Sequence, residues 1–134
     1  MTAVFVPGVP RPQPRPRVYG KRTVSDSPDS RAWKDVVAWT WRQSGADMIA
    51  EGPVEMTVDL TLPRPKRLMR RKDVDSPVPC DRRPDIDNHL KAIMDGLQGV
   101  AFADDGQVAA VLVRKWYCGK DGEGVGAAII VRAL

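Results

Sequence analysis

The chain has 134 residues, of which 43% are hydrophobic and 28% charged, and its formal net charge is +4. This size and composition are typical of one globular domain, and no apolar run approaches the roughly 20 residues that span a membrane. No apolar segment follows a basic start, as it does in a secretory signal. The two cysteines, Cys80 and Cys118, are too few for a disulfide scaffold or a cysteine-rich zinc site. The sequence therefore predicts a reduced, cytoplasmic protein with one domain over residues 1–134 and no membrane partner.

The first predicted element is a short strand over residues 3–6, which Pro7 and Gly8 end. A basic segment follows over about residues 7–26 (the basic arm). From Pro10 to Arg17 its alternating prolines favour an extended conformation that is not a packed element. Residues 1–22 contain no acid and five basic side chains, those of Arg11, Arg15, Arg17, Lys21 and Arg22. Such a concentration of positive charge suggests a polyanion as the partner.

Residues 27–30 predict the start of a helix, because a serine that can cap is followed by proline at the first helical position and by an acid in the first turn. Apolar and aromatic side chains then recur at helical spacing, which predicts a stripe that packs on the core and a helix that ends near Gly45. The stripe consists of Trp33, Val36, Val37, Thr40 and Trp41. Trp39 lies off this stripe, where one interpretation is contact with a second subunit.

Residues 54–62 alternate apolar and polar side chains, which predicts a half-buried strand. The next segment, residues 63–84 (the basic loop), has five prolines, eight basic residues and three acids, without periodicity. A loop of this length within a compact domain is usually functional or mobile. Its candidate phosphate contacts are Arg67, Arg70, Arg71, Arg82 and Arg83.

The rest of the chain predicts a second helix and two strands. Leu90, Ile93, Met94 and Leu97 follow helical spacing, so we expect a helix from about residue 86 to residue 97. Residues 108–117 and 125–132 read as strands, joined by a glycine-rich loop that predicts a hairpin. The element order β-α-β-α-β-β predicts an α+β fold in which a mixed sheet is packed by two helices.

Residues 85–106 (the acidic segment) contain five aspartates and one lysine. If the chain is extended through Ile86, then Asp85 and Asp87 point to the same side and Ile86 turns to the core. Within the helix, Asp87, Lys91 and Asp95 are spaced by four and form one face. Converging carboxylates repel one another unless a cation joins them, and Mg²⁺ with carboxylate ligands suits phosphodiester hydrolysis. Taken singly, each acid also fits a helix cap, a surface ion pair or a turn.

The run Arg83–Leu97 (RPDIDNHLKAIMDGL) and residues 104–108 (DDGQV) carry a recognisable combination. It resembles the RusA family of Holliday-junction resolvases, whose pattern is D-x-D-N-x-x-K-x-x-x-D-x-L followed by D-D-x-Q. The opening P-G-V-P with a later R-P-R, and the strand end R-K-W-Y, are similar as well. The resemblance covers nearly the whole chain and implies a RusA-like fold. It also implies a metal-dependent crossover junction endodeoxyribonuclease of the kind that phages carry.

By position, the resemblance implies that Asp85, Asp87 and Asp105 are catalytic, metal-binding aspartates and that Lys91 is the essential lysine. Asp104 and Asp95 match recurring acids, which we interpret as a helper ligand and as the partner of Lys91. Asn88 is expected to orient a carboxylate or to cap the helix. The cofactor implied is Mg²⁺, with Mn²⁺ as a substitute.

These features together predict an Mg²⁺-dependent endonuclease that is selective for branched DNA and resolves four-way junctions by paired nicks in recombination and repair. A homodimer would match the two-fold symmetry of a junction, and the arginines of the basic arm and basic loop would hold phosphates. Two alternatives stay open: the same scaffold acting on flaps, forks or replication intermediates, and a non-catalytic nucleic-acid-binding module. His89, the only histidine, is expected to face solvent and to take no part in catalysis.

Overall fold

The computed structural model describes residues 1–24 and 26–134. The regular elements in chain order are β1 (Thr2–Pro7), β2 (Arg17–Tyr19), β3 (Arg22–Val24), α1 (Pro28–Gln43), β4 (Val54–Leu62), β5 (Val78–Pro79), α2 (Ile86–Leu97), β6 (Val108–Tyr117) and β7 (Gly126–Ala133), with short 3-10 turns at Lys66–Leu68 and Asp105–Gln107. None of the helices in these residues is long and apolar enough to cross a membrane. The predicted α+β class, with two helices on a mixed sheet, is confirmed.

The sheet has the strand order β1-β7-β4-β6-β5, in which β4 runs parallel to β6 and antiparallel to β7. Every second residue of β4, from Val54 to Leu60, is fully buried, as its alternation predicts. These side chains form one core with Trp33, Val37 and Trp41 of α1 and with Ile93 and Leu97 of α2. Both helices therefore pack on the same apolar core, and this packing fixes α2 beside β6.

The predicted hairpin of the last two strands is wrong. Strands β6 and β7 do not pair with each other, because β4 lies between them and pairs with both. Their connection, residues 118–125, is longer than the usual two to five residues of a hairpin loop. It therefore carries the chain past the end of β4, whose buried position requires a neighbour on each side.

Beyond the proline-rich stretch 10–17, the basic arm has regular structure that was not predicted. Residues 17–24 form a two-stranded hairpin, in which Gly20 takes the positive φ of +61° that such turns need. Further along the arm towards the N-terminus, the backbone N–H of Gln13 donates to the carbonyl of Asn88 at 2.9 Å. This hydrogen bond fastens the arm to the first turn of α2.

The basic loop has little regular structure, as predicted, but two cations hold it in place from inside. The Arg64 guanidinium donates to the carbonyls of Leu68, Val74 and Ser76 at 2.9, 2.6 and 2.9 Å. The ammonium of Lys120, from the connection between β6 and β7, donates to two further carbonyls of the loop at 2.7 and 2.6 Å. These charge-assisted bonds satisfy backbone groups that a sheet or a helix would otherwise satisfy.

Candidate active site

Asp85 stands at the N-terminal cap position of α2, yet its carboxylate accepts no capping hydrogen bond. The carboxylate faces the basic arm, where Arg15 Nη2 lies 3.4 Å from Asp85 Oδ2. Arg17, Arg83 and Asn88 line the same groove between the arm and the start of α2. Asp85 is therefore turned towards the cationic arm and is not used to cap its own helix.

Asp87 lies in the first turn of α2 and is exposed. Within the described residues, its carboxylate has no hydrogen bond or ion pair. The expectation that Ile86 turns to the core is wrong, because the helix already begins at Ile86 and leaves this side chain 38% exposed. Asp85 and Asp87 are consequently placed by a helix start and not by an extended strand.

Lys91 lies one turn further along α2, with its Nζ 2.7 Å from Asp95 Oδ1. The hydrogen bond to Asp95 raises the pKa of Lys91, and the charges of Asp95 and Asp105 raise it further. Asp95 also lies 3.6 Å from Lys34 Nζ on α1, so one carboxylate joins a lysine from each helix. This arrangement keeps Lys91 protonated at neutral pH and fixes the position of its charge.

Asp104 and Asp105 belong to the 3-10 turn before β6. Asp104 Oδ1 accepts from the N–H of Gly106 at 3.1 Å, and Gln107 Oε1 accepts from the N–H of Asp104 at 2.9 Å, which is a reciprocal capping box. The N–H of Asp105 donates to Gln98 Oε1 at 3.1 Å, just beyond the end of α2. One oxygen of Asp104 is thus engaged in the turn, while the half-buried Asp105 carboxylate accepts no hydrogen bond within the described residues.

The solvent-facing position expected for His89 is wrong. His89 is only 1% exposed, because the buried face of α2 is rotated by one residue from the predicted stripe. That face comprises His89, Ala92, Ile93, Gly96 and Leu97. Neither ring nitrogen has a hydrogen-bond partner within the described residues. Burial lowers the pKa of His89 to about 4, and the charge of Lys115 adds to the shift. The ring is therefore neutral at physiological pH.

Lys115 on β6 is a candidate positioning residue that the sequence did not single out. Its ammonium donates to the carbonyls of Arg82 and Pro84 at 2.6 and 2.8 Å, directly before Asp85. The Arg83–Pro84 peptide bond within this stretch is cis. Lys115 thereby fixes the backbone that leads into α2. Its only signal in the sequence was its place in the R-K-W-Y strand end, which gives no hint of a role in the site.

The predicted phosphate-binding side chains differ in how free they are. Some have partners: Arg67 lies 5.8 Å from the ring centre of Tyr117, and Arg70 and Arg82 each contact a nearby aspartate. The remaining candidates are exposed on the arm, the β2–β3 hairpin or the basic loop; they are Arg11, Lys21, Arg22, Arg71 and, in the groove with Asp85, Arg17 and Arg83. Asp85 is therefore bordered by Arg17 and Arg83, which solvent or a polyanion can reach.

The acids suit a hard divalent cation by the chemistry of their donors, because Asp87 and Asp105 accept no hydrogen bonds and Asp85 has only the 3.4 Å contact with Arg15. Asp104 has one oxygen engaged in its turn. In the part of the chain that the structure describes, no three histidine, cysteine or acidic side chains come close enough together to hold a metal ion. The ligand assignment from the sequence stays a prediction.

Carboxylates that are free of protein partners, beside a charged lysine and a border of arginines, are typical of enzymes that hydrolyse phosphodiesters. The model of the RusA endodeoxyribonuclease family matches residues 7–127. A Bacillus subtilis (strain 168) protein, described as uncharacterized and called YqaN, is 32% identical over 118 residues, which cover 82% of this chain and 83% of the relative. The chain belongs to the RusA endodeoxyribonuclease family.

Proposed function

We propose that this protein is an Mg²⁺-dependent, structure-selective endonuclease of the cytoplasm that resolves Holliday junctions as a homodimer by paired symmetric nicks, in DNA recombination and repair. The observation that carries the proposal is the contrast within the acidic segment. Lys91 is paired and held in place, whereas Asp87 and Asp105 accept no hydrogen bonds. The free carboxylates can take a cation, while the paired lysine keeps its own charge in the same segment.

Asp85, Asp87 and Asp105, helped by the free oxygen of Asp104, would hold Mg²⁺ or Mn²⁺ once they move closer together than they lie in the described residues. The ion would supply charge that activates a water and offsets the leaving oxygen. Asn88, half-buried in the same turn as Asp87, would orient a carboxylate.

Lys91 contributes a cation whose position does not depend on the metal. Asp95 holds its ammonium at 2.7 Å and raises its pKa, so the proton stays on Nζ while negative charge develops on the phosphate. Because Asp95 also contacts Lys34, the orientation of this acid is set from both helices. We therefore interpret Asp95 as a positioning residue for Lys91.

Arg15 has two possible partners when DNA is present. It is 71% exposed and contacts Asp85 at 3.4 Å, a long distance for a charge-assisted hydrogen bond. A phosphate can take its guanidinium, and this exchange releases the Asp85 carboxylate for a cation. The other exposed arginines of the arm and loop would hold backbone phosphates without reading sequence.

The experiment is cleavage of a synthetic four-way junction with Mg²⁺, comparing the wild type with Asp87→Asn. The expected result is a loss of at least about 100-fold, because the substitution removes a charged ligand while keeping its size. Asp35→Asn is the matched control, since Asp35 is exposed on α1 outside the site. Retained cleavage by Asp87→Asn would contradict the proposal.

The choice of substrate is tested with the same wild-type protein. Junction, flap, fork and linear duplex are compared side by side under single-turnover conditions. Faster cleavage of the junction than of the other substrates supports junction resolution. Faster cleavage of the flap or the fork would instead indicate that these structures are the substrate. Tight, salt-sensitive binding with no cleavage of any of them would indicate a binding module.

A further inference from the structure

The β2–β3 hairpin exposes every side chain that the structure describes in it. Residues 17–19 and 21–23 are all exposed, among them Val18 at 70% and Tyr19 at 58%. Outside the turn itself, no described atom lies within 4 Å of the position that a Cβ of Gly20 would take. The hairpin therefore reaches into solvent at its tip, and its side chains are available to a partner.

The register of the hairpin divides these side chains between two faces. Tyr19 lies directly opposite Arg22, and Val18 lies opposite Thr23. Because side chains alternate along a strand and opposed residues share a face, Arg17 lies on the same face as Tyr19 and Arg22. Val18 and Thr23 point to the other side. One face therefore has an aromatic ring between two guanidinium groups (the Tyr19 face), and the opposite face carries no charge.

The side chains of the Tyr19 face suit a nucleic-acid strand in which a base is accessible. An aromatic ring offers a stacking surface to any base, and guanidinium groups bind the phosphates beside it. Within the described residues, neither Arg17 nor Arg22 has an ion pair or a side-chain hydrogen bond, and residues 1–22 contain no acid. The charge of this face is therefore unneutralised by the protein and complementary to the phosphates of DNA.

The Tyr19 face begins at the candidate active site. Arg17 lines the groove that Arg15 and Asp85 also line. Tyr19 is two residues further along the strand, a rise of about 7 Å. Successive phosphates of one duplex strand are about 3.4 Å apart along the helix axis. A DNA strand with a phosphate near Asp85 can therefore place a base on Tyr19 only a few nucleotides away.

We propose that the Tyr19 face binds the branch point of the DNA, with the Tyr19 ring stacked on a base that has lost its stacking neighbour there. The inference deepens the proposed function and rests on it, because it names a feature by which the site selects branched DNA. Bases inside a linear duplex are stacked on both sides and leave no free face for a ring. At an opened junction, a flap or a fork, the base at the branch point is stacked on one side only. Tyr19 is therefore a specificity-determining residue and takes no part in hydrolysis.

Binding of DNA in EDTA tests the stacking without cleavage. The wild type and Tyr19→Ala are titrated with a synthetic four-way junction and with a linear duplex of the same total length. Tyr19→Ala should bind the junction at least about fivefold more weakly, the lower end of what alanine costs at a base-stacking ring, and should bind the duplex almost as the wild type does. Tyr19→Phe keeps the ring and should bind both like the wild type. Val18→Ala is the matched control, because it truncates a more exposed side chain on the opposite face of the same hairpin.

A fluorescent base locates the contact on the DNA. The adenine analogue 2-aminopurine is placed at the branch point in one junction and in the middle of an arm in another. At saturating protein, its emission at the branch point should be lower with the wild type and Tyr19→Phe than with Tyr19→Ala, because stacking on a ring quenches it. In the middle of an arm, the emission should be the same with all of these proteins.

The stacking is wrong if Tyr19→Ala keeps the wild-type ratio of junction affinity to duplex affinity, or if Val18→Ala loses as much of it. A loss in Tyr19→Phe equal to that in Tyr19→Ala would assign the effect to the hydroxyl and also overturn the proposal. A change in the sedimentation of Tyr19→Ala without DNA would show that the ring contacts protein instead. None of these outcomes bears on the nuclease site, since no cleavage is measured. Retained cleavage by Asp87→Asn would contradict the proposed function and leave the measured stacking as it is.

Discussion

The basic loop (63–84) and the acidic segment (85–106) are adjacent in the chain and opposite in net charge, and they use their charges in different ways. In the basic loop, Arg64 and the incoming Lys120 hold backbone carbonyls, and Arg70 pairs with Asp73. In the acidic segment, Asp87 and Asp105 accept no hydrogen bonds within the described residues. The first segment uses several of its charges to build structure, and the second leaves some of them free for a ligand.

This difference shows that the number of charged residues in a segment does not tell how many of them are free to bind a partner. Arg64 and Arg71 count equally in the sequence, yet Arg64 makes hydrogen bonds to several carbonyls and Arg71 is exposed without a hydrogen bond or ion pair in the described residues. A buried or paired cation contributes to folding, while an exposed one contributes to phosphate binding. The variants below separate the two uses.

The largest effect is expected at the one cation of the acidic segment. Lys91→Gln should lower single-turnover cleavage of a junction by about 100- to 1,000-fold, because a fixed charge beside the reacting phosphate is lost. DNA binding should change little. Lys66→Gln removes the same charge from an exposed position in the basic loop and should stay within about threefold of the wild type, since it removes at most one phosphate contact. Similar losses in both variants would show that Lys91 acts through overall charge.

The second comparison lies within the basic loop. Arg64→Met should lower the free energy of unfolding in urea by about 2 kcal/mol, because it leaves carbonyls without their charged donor. Arg71→Met should leave stability unchanged, and it should reduce the salt dependence of DNA binding by about one phosphate contact. If the two variants changed stability and salt dependence equally, the division between structural and binding cations would be wrong.

The sequence predicted the elements whose signals are local. The spacing of Leu90, Ile93 and Leu97 gave the bounds of α2, and the alternation in residues 54–62 gave β4. Strand pairing was not predictable in the same way. The position of β7 depends on its pairing with β4, a strand distant in the chain, and not on the loop that joins β7 to β6. The exposed Ile86 and the buried His89 were missed because the helix starts immediately after Asp85 and its buried face is rotated by one residue.

The site was predicted as a set of residues but not as an arrangement. A motif names Asp85, Lys91 and Asp105, yet it does not show that Asp95 joins Lys91 to Lys34. It also does not show that Lys115 holds the backbone before Asp85. These contacts join residues far apart in the chain, so they depend on how α1, α2 and β6 pack. Spacing within one segment carries no information about them.

The smallest effect concerns an acid that, unlike Asp87, is fully paired. Asp59 on β4 accepts from the Arg114 guanidinium at 2.7 and 2.8 Å and from the Trp116 indole at 3.0 Å. The hydrogen bond from Arg114 is the main reason that the pKa of Asp59 lies below its ordinary value of 3.8, and the bond from Trp116 lowers it further. The unfolded chain therefore takes up a proton at higher pH than the folded protein does, and this contribution to stability is present above pH 4 and lost as the pH falls below it.

Replacing Asp59 with Asn should lower the free energy of unfolding at pH 7 by about 1 kcal/mol and reduce the loss of stability between pH 5 and pH 3. Asp87→Asn should leave the free energy of unfolding at pH 7 nearly unchanged, because the Asp87 carboxylate has no hydrogen bond or ion pair in the described residues. Thermal unfolding of both variants across this pH range makes the comparison. A loss of stability at pH 7 in Asp87→Asn equal to that in Asp59→Asn would mean that the Asp87 carboxylate is paired as Asp59 is, and that it is not free for a ligand.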